Sequence, residues 1–357
     1  MTVLIPTGVE GFTTEWLTAV FEPSFPGVQI RQVRPLGRSD GSAARVRLAI
    51  DSVGNADAPR SVVIKAAFTA NLGNDELAKV WIPLMAMMHE TESQWYTELA
   101  APLGDRSPRC YYAATSGHDA VIVLEDLNTR QGIRFGAYNT PLEPDDMASV
   151  LDVLAAVHAI RWDDQSFVAE PLRDSFLAGG MLDGFLSETN WEQQLSRPRA
   201  TRMPVELMDY RLCTTAIRQA WDAKHRGPQS FIHGDPHVGN HFFDSKGAGL
   251  LDWQLLTSGH WASDVVYAIA SSMEIEKRRT YEQALLAHYL GTLRSLVGVA
   301  PSQTEAWHDY RKFAIWGVAS VLTPGDGVQT EDYLTIVSER HAQAAIDLES
   351  VALLGAE

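Results

Sequence analysis

Cysteine is nearly absent from these 357 residues, occurring only as Cys110 and Cys213. Two isolated thiols give neither a disulfide framework nor the paired spacing of a zinc site. Long apolar runs are also missing; none approaches the ~20 residues needed to cross a bilayer, so no membrane partner is expected. Positive charge is scarce: 29 Lys and Arg face 45 Asp and Glu, a formal charge of -16. The densest basic run, Lys277-Arg278-Arg279, is short and follows Glu274 and Glu276. Such a surface repels phosphate backbones and argues against a nucleic-acid partner. Residues 1–30 hold no Lys or Arg. The charged start of a secretory signal is therefore missing, and the chain is expected in the reducing cytoplasm. With 45% hydrophobic and 21% charged residues, the composition is that of an ordered globular protein.

The first third reads as strands and one long helix. Residues 28–33 alternate in polarity, and Gly37-Arg38-Ser39-Asp40-Gly41-Ser42 breaks the pattern. Residues 45–50 alternate again, 51–60 are turn-rich, and Ser61-Val62-Val63-Ile64-Lys65 reads as a third strand. Pro83 suits the first turn of a helix, on which Leu84, Met88, Trp95 and Leu99 recur. An apolar strand at 120–124 ends in Glu125-Asp126-Leu127-Asn128. Beyond residue 130 the texture is helical. Residues 144–162 place Met147, Leu151, Leu154 and Val157 on one face. Further helices are predicted over 174–188, 204–224, 262–297, 303–321 and 331–353. Strand-like Ser230-Phe231-Ile232-His233 and Gly249-Leu250-Leu251-Asp252 interrupt them. Neither an internal repeat nor a low-complexity segment occurs.

The sharpest chemical signal is His233-Gly234-Asp235-Pro236-His237-Val238-Gly239-Asn240, followed by Asp252-Trp253-Gln254. Phosphoryl transfer from ATP needs a carboxylate near the acceptor hydroxyl and metal ligands that bridge the phosphates. Asp235 fits the first task, and Asn240, across one loop, fits the second. Asp252 closes an apolar strand, where an antiparallel hairpin would bring it beside Asn240. Such a trio of hard oxygen donors suits Mg²⁺. The same block admits a metal-dependent phosphohydrolase, with His233, Asp235 and His237 as ligands and Gly239-Asn240-His241 as the turn. That reading lacks its upstream ligands and has Phe242 where an acidic residue belongs.

These residues resemble the aminoglycoside phosphotransferase and choline kinase-like family, a branch of the protein-kinase-like fold. Its catalytic loop reads H-G-D-x-H-x-x-N and its metal segment D-x-D/E/Q. Gln254 stands where some branches carry an acid, and 259–267 look like the family's G-x-x-x-x-D-x-x-Y segment. The resemblance implies an α+β, two-lobed protein-kinase-like fold: a small antiparallel-sheet N-lobe over residues 1–127 and a larger helical C-lobe over 128–357. It implies ATP and Mg²⁺ as cofactors and a small-molecule hydroxyl as acceptor, on an amino sugar, amino alcohol, aminoglycoside-like compound or hydroxylated lipid.

Lys65 ends an apolar strand, Val63-Ile64-Lys65-Ala66, similar to the V-A-I-K pattern, in a chain with only six lysines. A strand-end lysine is ordinarily solvated; with the Asp–Asn–Asp block downstream it reads as the phosphate-binding lysine. Glu92 is its expected partner, because it lies on the apolar stripe between Met88 and Trp95-Tyr96, and a buried carboxylate demands a cation. Gly41 and Ser42 are expected to cover the phosphates, and Glu125 to Leu127 to hold adenine through backbone groups. Acceptor candidates are Trp162, Asp163, Asp164, Trp191, Glu192, Trp261 and Asp264; Asp264 equally suits bracing the catalytic loop, and His158 a packed, hydrogen-bonded role. A nucleotide-binding pseudokinase is the alternative, disfavoured by the complete Lys–Glu–Asp–Asn–Asp set.

Overall fold

A computed structural model describes residues 4–39, 43–68, 76–164, 181–322 and 329–355. The chain divides into two compact units: residues 1–133 with 252–254, and residues 134–251 with 255–357.

In the first unit, helix α1 (Thr14–Phe21) starts where the Thr13 side chain accepts the Trp16 N–H at 3.2 Å. Strands β1 (Gln29–Ser39), β2 (Ala44–Val53) and β3 (Ser61–Ala67) follow. Then come α2 (Glu76–Gln94), β4 (Cys110–Ser116) and β5 (Asp119–Glu125). The five strands pair antiparallel in the order β1-β2-β3-β5-β4. Because side chains alternate across a strand, Val62, Ile64 and Ala66 join a core with Leu17, Val20 and Phe21 of α1. Lys65 points the other way, to the face on which α2 packs.

Several boundaries differ from the expectation. Strand β1 runs on through Pro35 and Gly37, with a register shift between them that absorbs the missing proline donor on an edge strand. Pro83 lies inside α2 rather than at its start. The preceding Glu76, Leu77, Ala78 and Lys79 are strong helix formers and begin the helix earlier. Helix α2 then widens into a π-type turn, Trp95–Leu99.

The second unit comprises β6 (Arg134–Phe135), α3 (Pro144–Ala159), α4 (Met181–Phe185), α5 (Glu188–Leu195) and α6 (Tyr210–Ala223). Next are β7 (Gln229–Ile232), β8 (His241–Asp244), β9 (Gly247–Leu250) and β10 (Thr257–His260). It closes with α7 (Trp261–Ser272), α8 (Ile275–Val297), α9 (Gln303–Phe313), α10 (Trp316–Leu322), α11 (Glu331–Asp347) and α12 (Ser350–Gly355). Two small antiparallel sheets, β6-β8-β9 and β10-β7, flank the loop of residues 233–240. Every residue of α7 is buried, which marks it as the central helix of the unit. The single helix expected over 262–297 is two, because Met273 turns extended (φ -106°, ψ 152°). The one expected over 331–353 breaks at Glu349, whose φ is 54°. The helix expected over 174–188 lies partly outside the described residues.

Candidate active site

In the first unit a buried charge cluster surrounds Lys65. Its Nζ lies 2.7 Å from Glu92 Oε1, 2.6 Å from Oε2 and 3.2 Å from Asp252 Oδ1. Lys65 is 6% exposed and Glu92 0%, so this pair is shielded from water, and removing either partner would leave the other charge buried. Burial works to lower the Lys65 pKa, but the carboxylates of Asp252 and Glu92 outweigh it and hold the ammonium above its ordinary value. Burial likewise works to raise Asp252; the Lys65 charge, a hydrogen bond from Gln254 and the Arg45 charge overcome it and keep the carboxyl well below the usual range. Asp252 sits in the left-handed region at φ 65°, a conformation that non-glycine residues adopt at a cost and that clusters at functional sites. The adjacent Trp253 stacks on Trp95 with ring centroids 3.7 Å apart, which fixes the segment.

Where backbone groups are expected to hold adenine, Glu125 is held by Arg130 through two 2.8 Å hydrogen bonds, Nε to Oε1 and Nη2 to Oε2. Asp126 is 1% exposed and accepts from Arg47 Nε at 2.7 Å and Ser61 Oγ at 2.6 Å. It also caps the turn Leu127–Thr129 through the Asn128 N–H. Sequence reading missed this brace, since its partners are 65 and 79 residues away in the chain. Gly41 and Ser42 lie outside the described residues.

In the second unit the loop of residues 233–240 is held by its own backbone and by α7. Asp264 accepts the His233 N–H at 2.6 Å and the Gly234 N–H at 3.0 Å. Behind it, His158 Nε2 lies 3.3 Å from Asp264 Oδ2, and His158 Nδ1 lies 2.7 Å from the Tyr289 hydroxyl. Gly234 has φ 84°, and a Cβ there would fall 2.2 Å from the Leu255 carbonyl oxygen, so only glycine fits. The His233 ring donates from Nε2 to the Leu251 carbonyl at 2.9 Å, leaving Nδ1 to accept the Asp235 N–H at 3.3 Å. Asn240 Nδ2 donates to the Asp235 carbonyl at 2.9 Å. The Leu251 N–H donates to the Asn240 carbonyl at 2.8 Å, and β8 and β9 form the hairpin between them. Strand β9 ends at Leu250, so Asp252 follows the strand rather than closing it.

Around the Asp235 side chain stand residues that sequence reading left without a role. Tyr267 donates its hydroxyl to Asp235 Oδ1 at 3.0 Å. His237 Nδ1 accepts the Gly239 N–H at 3.0 Å, which leaves its proton on Nε2, 3.7 Å from Asp235 Oδ2. The His237 ring packs on Tyr333, centroids 5.6 Å apart. The signal for Tyr267 was its spacing: three residues after Asp264 on a helix, it shares that residue's face.

The acceptor candidates divide. Asp264 is part of the loop support. Trp261 is fully buried and stacked on Tyr289 at 5.2 Å, and Trp191 belongs to the helical core with Leu207, Ile217 and Trp316. Glu192 is exposed. Trp162, Asp163 and Asp164 line a surface cavity with Val297 and Val299, and none of the residues named around Asp235 lines it. Among the described residues no cluster of three His, Cys, Asp or Glu forms a metal cage, and no helix is long and apolar enough to cross a membrane.

An antiparallel sheet with a Lys–Glu pair, and a helical unit carrying an H-G-D-x-H-x-x-N loop, define a protein-kinase-like phosphotransferase. Residues 89–299 match the profile of the phosphotransferase enzyme family, APH, and the chain belongs to that family. It is a small-molecule kinase. Ethanolamine kinase of Plasmodium vivax shares the fold with a TM-score of 0.52 at 12% identity, over 91% of this chain and 84% of its own. An amicoumacin kinase, solved with AMP-PNP, Ca²⁺ and Ami, has a TM-score of 0.52 at 10% identity, over 95% of each chain. No curated protein sequence matches the chain.

Proposed function

We propose that this kinase transfers the γ-phosphoryl group of ATP to a hydroxyl of a small amine-bearing acceptor, an amino alcohol or amino sugar, with Asp235 orienting that hydroxyl. The observation that carries the reading is the bonding of the catalytic loop: Asn240 Nδ2 is committed to the Asp235 carbonyl and Asp264 to the backbone before it. A carboxylate and an amide oxygen are thereby presented from one rigid loop.

The residues fit a hard divalent cation. Asn240 offers its amide oxygen because its nitrogen is occupied, and Asp252 offers a carboxylate held ionised. Mg²⁺ takes few protein oxygens and completes its shell with phosphate oxygens and water. When bound, it would neutralise charge on the β- and γ-phosphates. Residues 1–127 take the nucleotide: Lys65, fixed by Glu92, positions the phosphates, Gly41 and Ser42 cover them, and backbone groups from Glu125 to Leu127 hold adenine. Residues 128–357 take the acceptor. Its hydroxyl proton passes to Asp235 as its oxygen bonds to the γ-phosphorus; the bond to the β,γ-bridging oxygen breaks and ADP leaves. Such catalysis is largely positioning and electrostatics.

The amine-bearing acceptor is favoured by the aromatic groups near Asp235, Tyr267 and Tyr333, and by the formal charge of -16. Both attract a cation. Ethanolamine, the acceptor in the name of one structural neighbour, is such a molecule. An ADP-release screen with Mg²⁺-ATP against amino alcohols, amino sugars, aminoglycosides and hydroxylated lipids tests the assignment. Turnover confined to amine-bearing acceptors is expected; turnover confined to uncharged lipids would contradict the acceptor class.

A further inference from the structure

The hydrogen bond from Tyr267 to Asp235 has no part in the transfer step as written above. Tyr267 is 5% exposed. Burial, with the Asp235 charge beside it, pushes its phenol well above the ordinary value, so the hydroxyl stays a neutral donor. The ring is fixed from the far side. His341 lies against it with ring centroids 4.7 Å apart, and Gly317 makes the room for His341, since a Cβ at 317 would fall 2.0 Å from His341 Nδ1. The same helix, α7, carries Asp264, which grips the loop backbone at His233 and Gly234. One buried helix therefore holds the catalytic loop twice, by its main chain and by the Asp235 side chain.

A carboxylate turns easily about its last torsion. A hydrogen bond to one oxygen, from a buried ring packed on His341, restrains its plane. We propose that Tyr267 is a positioning residue for phosphoryl transfer: its hydroxyl takes Asp235 Oδ1 and so turns Oδ2 to the acceptor hydroxyl. This rests on the assignment of Asp235 made above. In the transfer step the acceptor's proton moves to Oδ2, its oxygen bonds to the γ-phosphorus, and the bridging oxygen leaves with ADP while Oδ1 keeps its bond to Tyr267.

The test compares Y267F, D235N and the double variant, each checked for folding by thermal melting, in steady-state kinetics with ATP and the acceptor found in the screen. Y267F removes one oxygen and keeps the ring that packs on His341. It is expected to lower kcat roughly 10- to 100-fold, with KM for ATP and for the acceptor within about twofold of wild type. In the D235N background the same change is expected to cost nothing further, because the effect runs through Asp235. A kcat for Y267F within about twofold of wild type overturns the positioning role while leaving the Asp235 reading intact. A loss seen mainly in acceptor KM also overturns it and makes Tyr267 a wall of the pocket. A D235N protein with near-wild-type kcat overturns both. If Y267F melts early, the double variant against D235N, compared at a temperature where both are folded, still shows whether the effect needs Asp235.

Discussion

The Asp264 carboxylate accepts the backbone N–H of Gly234 at 3.0 Å, at the position where the chain turns left-handed ahead of Asp235. It also takes the His233 N–H at 2.6 Å and faces His158 Nε2 at 3.3 Å. An amide in its place turns one acceptor oxygen into a donor facing N–H groups. Asp264→Asn is expected to lose about 2–4 kcal/mol of stability, read as a lower urea midpoint, and to lose kcat with it. A variant as stable and active as wild type would show that the loop holds its shape without this anchor.

Gly234 gives a second, independent check on the same turn. With φ 84° and the Leu255 carbonyl in the way of any Cβ, Gly234→Ala is expected to depress the melting temperature and to reduce kcat by at least tenfold. Unchanged kinetics would mean that the loop reaches its working shape by another backbone path.

Glu92 is the partner that keeps Lys65 in place. Glu92→Gln leaves the ammonium with Asp252 alone and is expected to lower stability by about 2–3 kcal/mol, since breaking a buried pair exposes the remaining charge to an uncompensated interior. ATP affinity falls as well, because Lys65 is no longer held on its strand axis. Calorimetric titration with a non-hydrolysable nucleotide measures the second effect, and equal affinity for variant and wild type would count against the pairing's role.

His341 makes stability depend on pH. Burial first, and then the Arg340 charge, pushes its pKa down to about 3, while in the unfolded chain it titrates near its ordinary value of about 6.5. Between those values the unfolded chain binds a proton that the folded protein refuses, so stability rises with pH through this window and falls on acidification. The urea midpoint is expected to drop from pH 7 to pH 5 and to drop less in His341→Phe. Parallel curves for the two proteins would remove His341 as the cause.

The extent to which these features were legible in the sequence follows from their range along the chain. The H-G-D-x-H-x-x-N loop is local, so its spacing alone brings Asp235 and Asn240 onto one turn. Lys65 and Glu92 were legible for a physical reason: a carboxylate on an apolar helical stripe requires a cation, and the apolar run Val62-Val63-Ile64 is followed by one. The sheet was less so at its edge, where β1 continues through Pro35 and Gly37 because a register shift absorbs them. The Tyr267–Asp235 bond was only partly legible: the spacing puts Tyr267 on the face of Asp264, but α7 is buried all round and periodicity assigns no inner face to such a helix. The left-handed Asp252 also gave no signal, since nothing in its residue type requires a positive φ.

The metal role proposed for Asp252 can be tested by substitution. Asp252→Ala removes that carboxylate; the neighbouring Gln254 is an amide, and the Glu92 carboxylate is already bonded to Lys65. A loss of roughly 10³-fold or more in kcat is expected, with turnover by the wild type abolished by a chelator and restored by added Mg²⁺. Chelator-resistant turnover would contradict a divalent-cation requirement.

The most direct test of the account is phosphorus NMR of the wild-type protein and D235N incubated with Mg²⁺-ATP and the acceptor from the screen. The account predicts that wild type converts the γ-phosphate resonance into a phosphomonoester, matched one for one by ADP, and that D235N forms it at a rate lower by orders of magnitude. Release of inorganic phosphate in place of a phosphomonoester, or an unchanged rate in D235N, would contradict it.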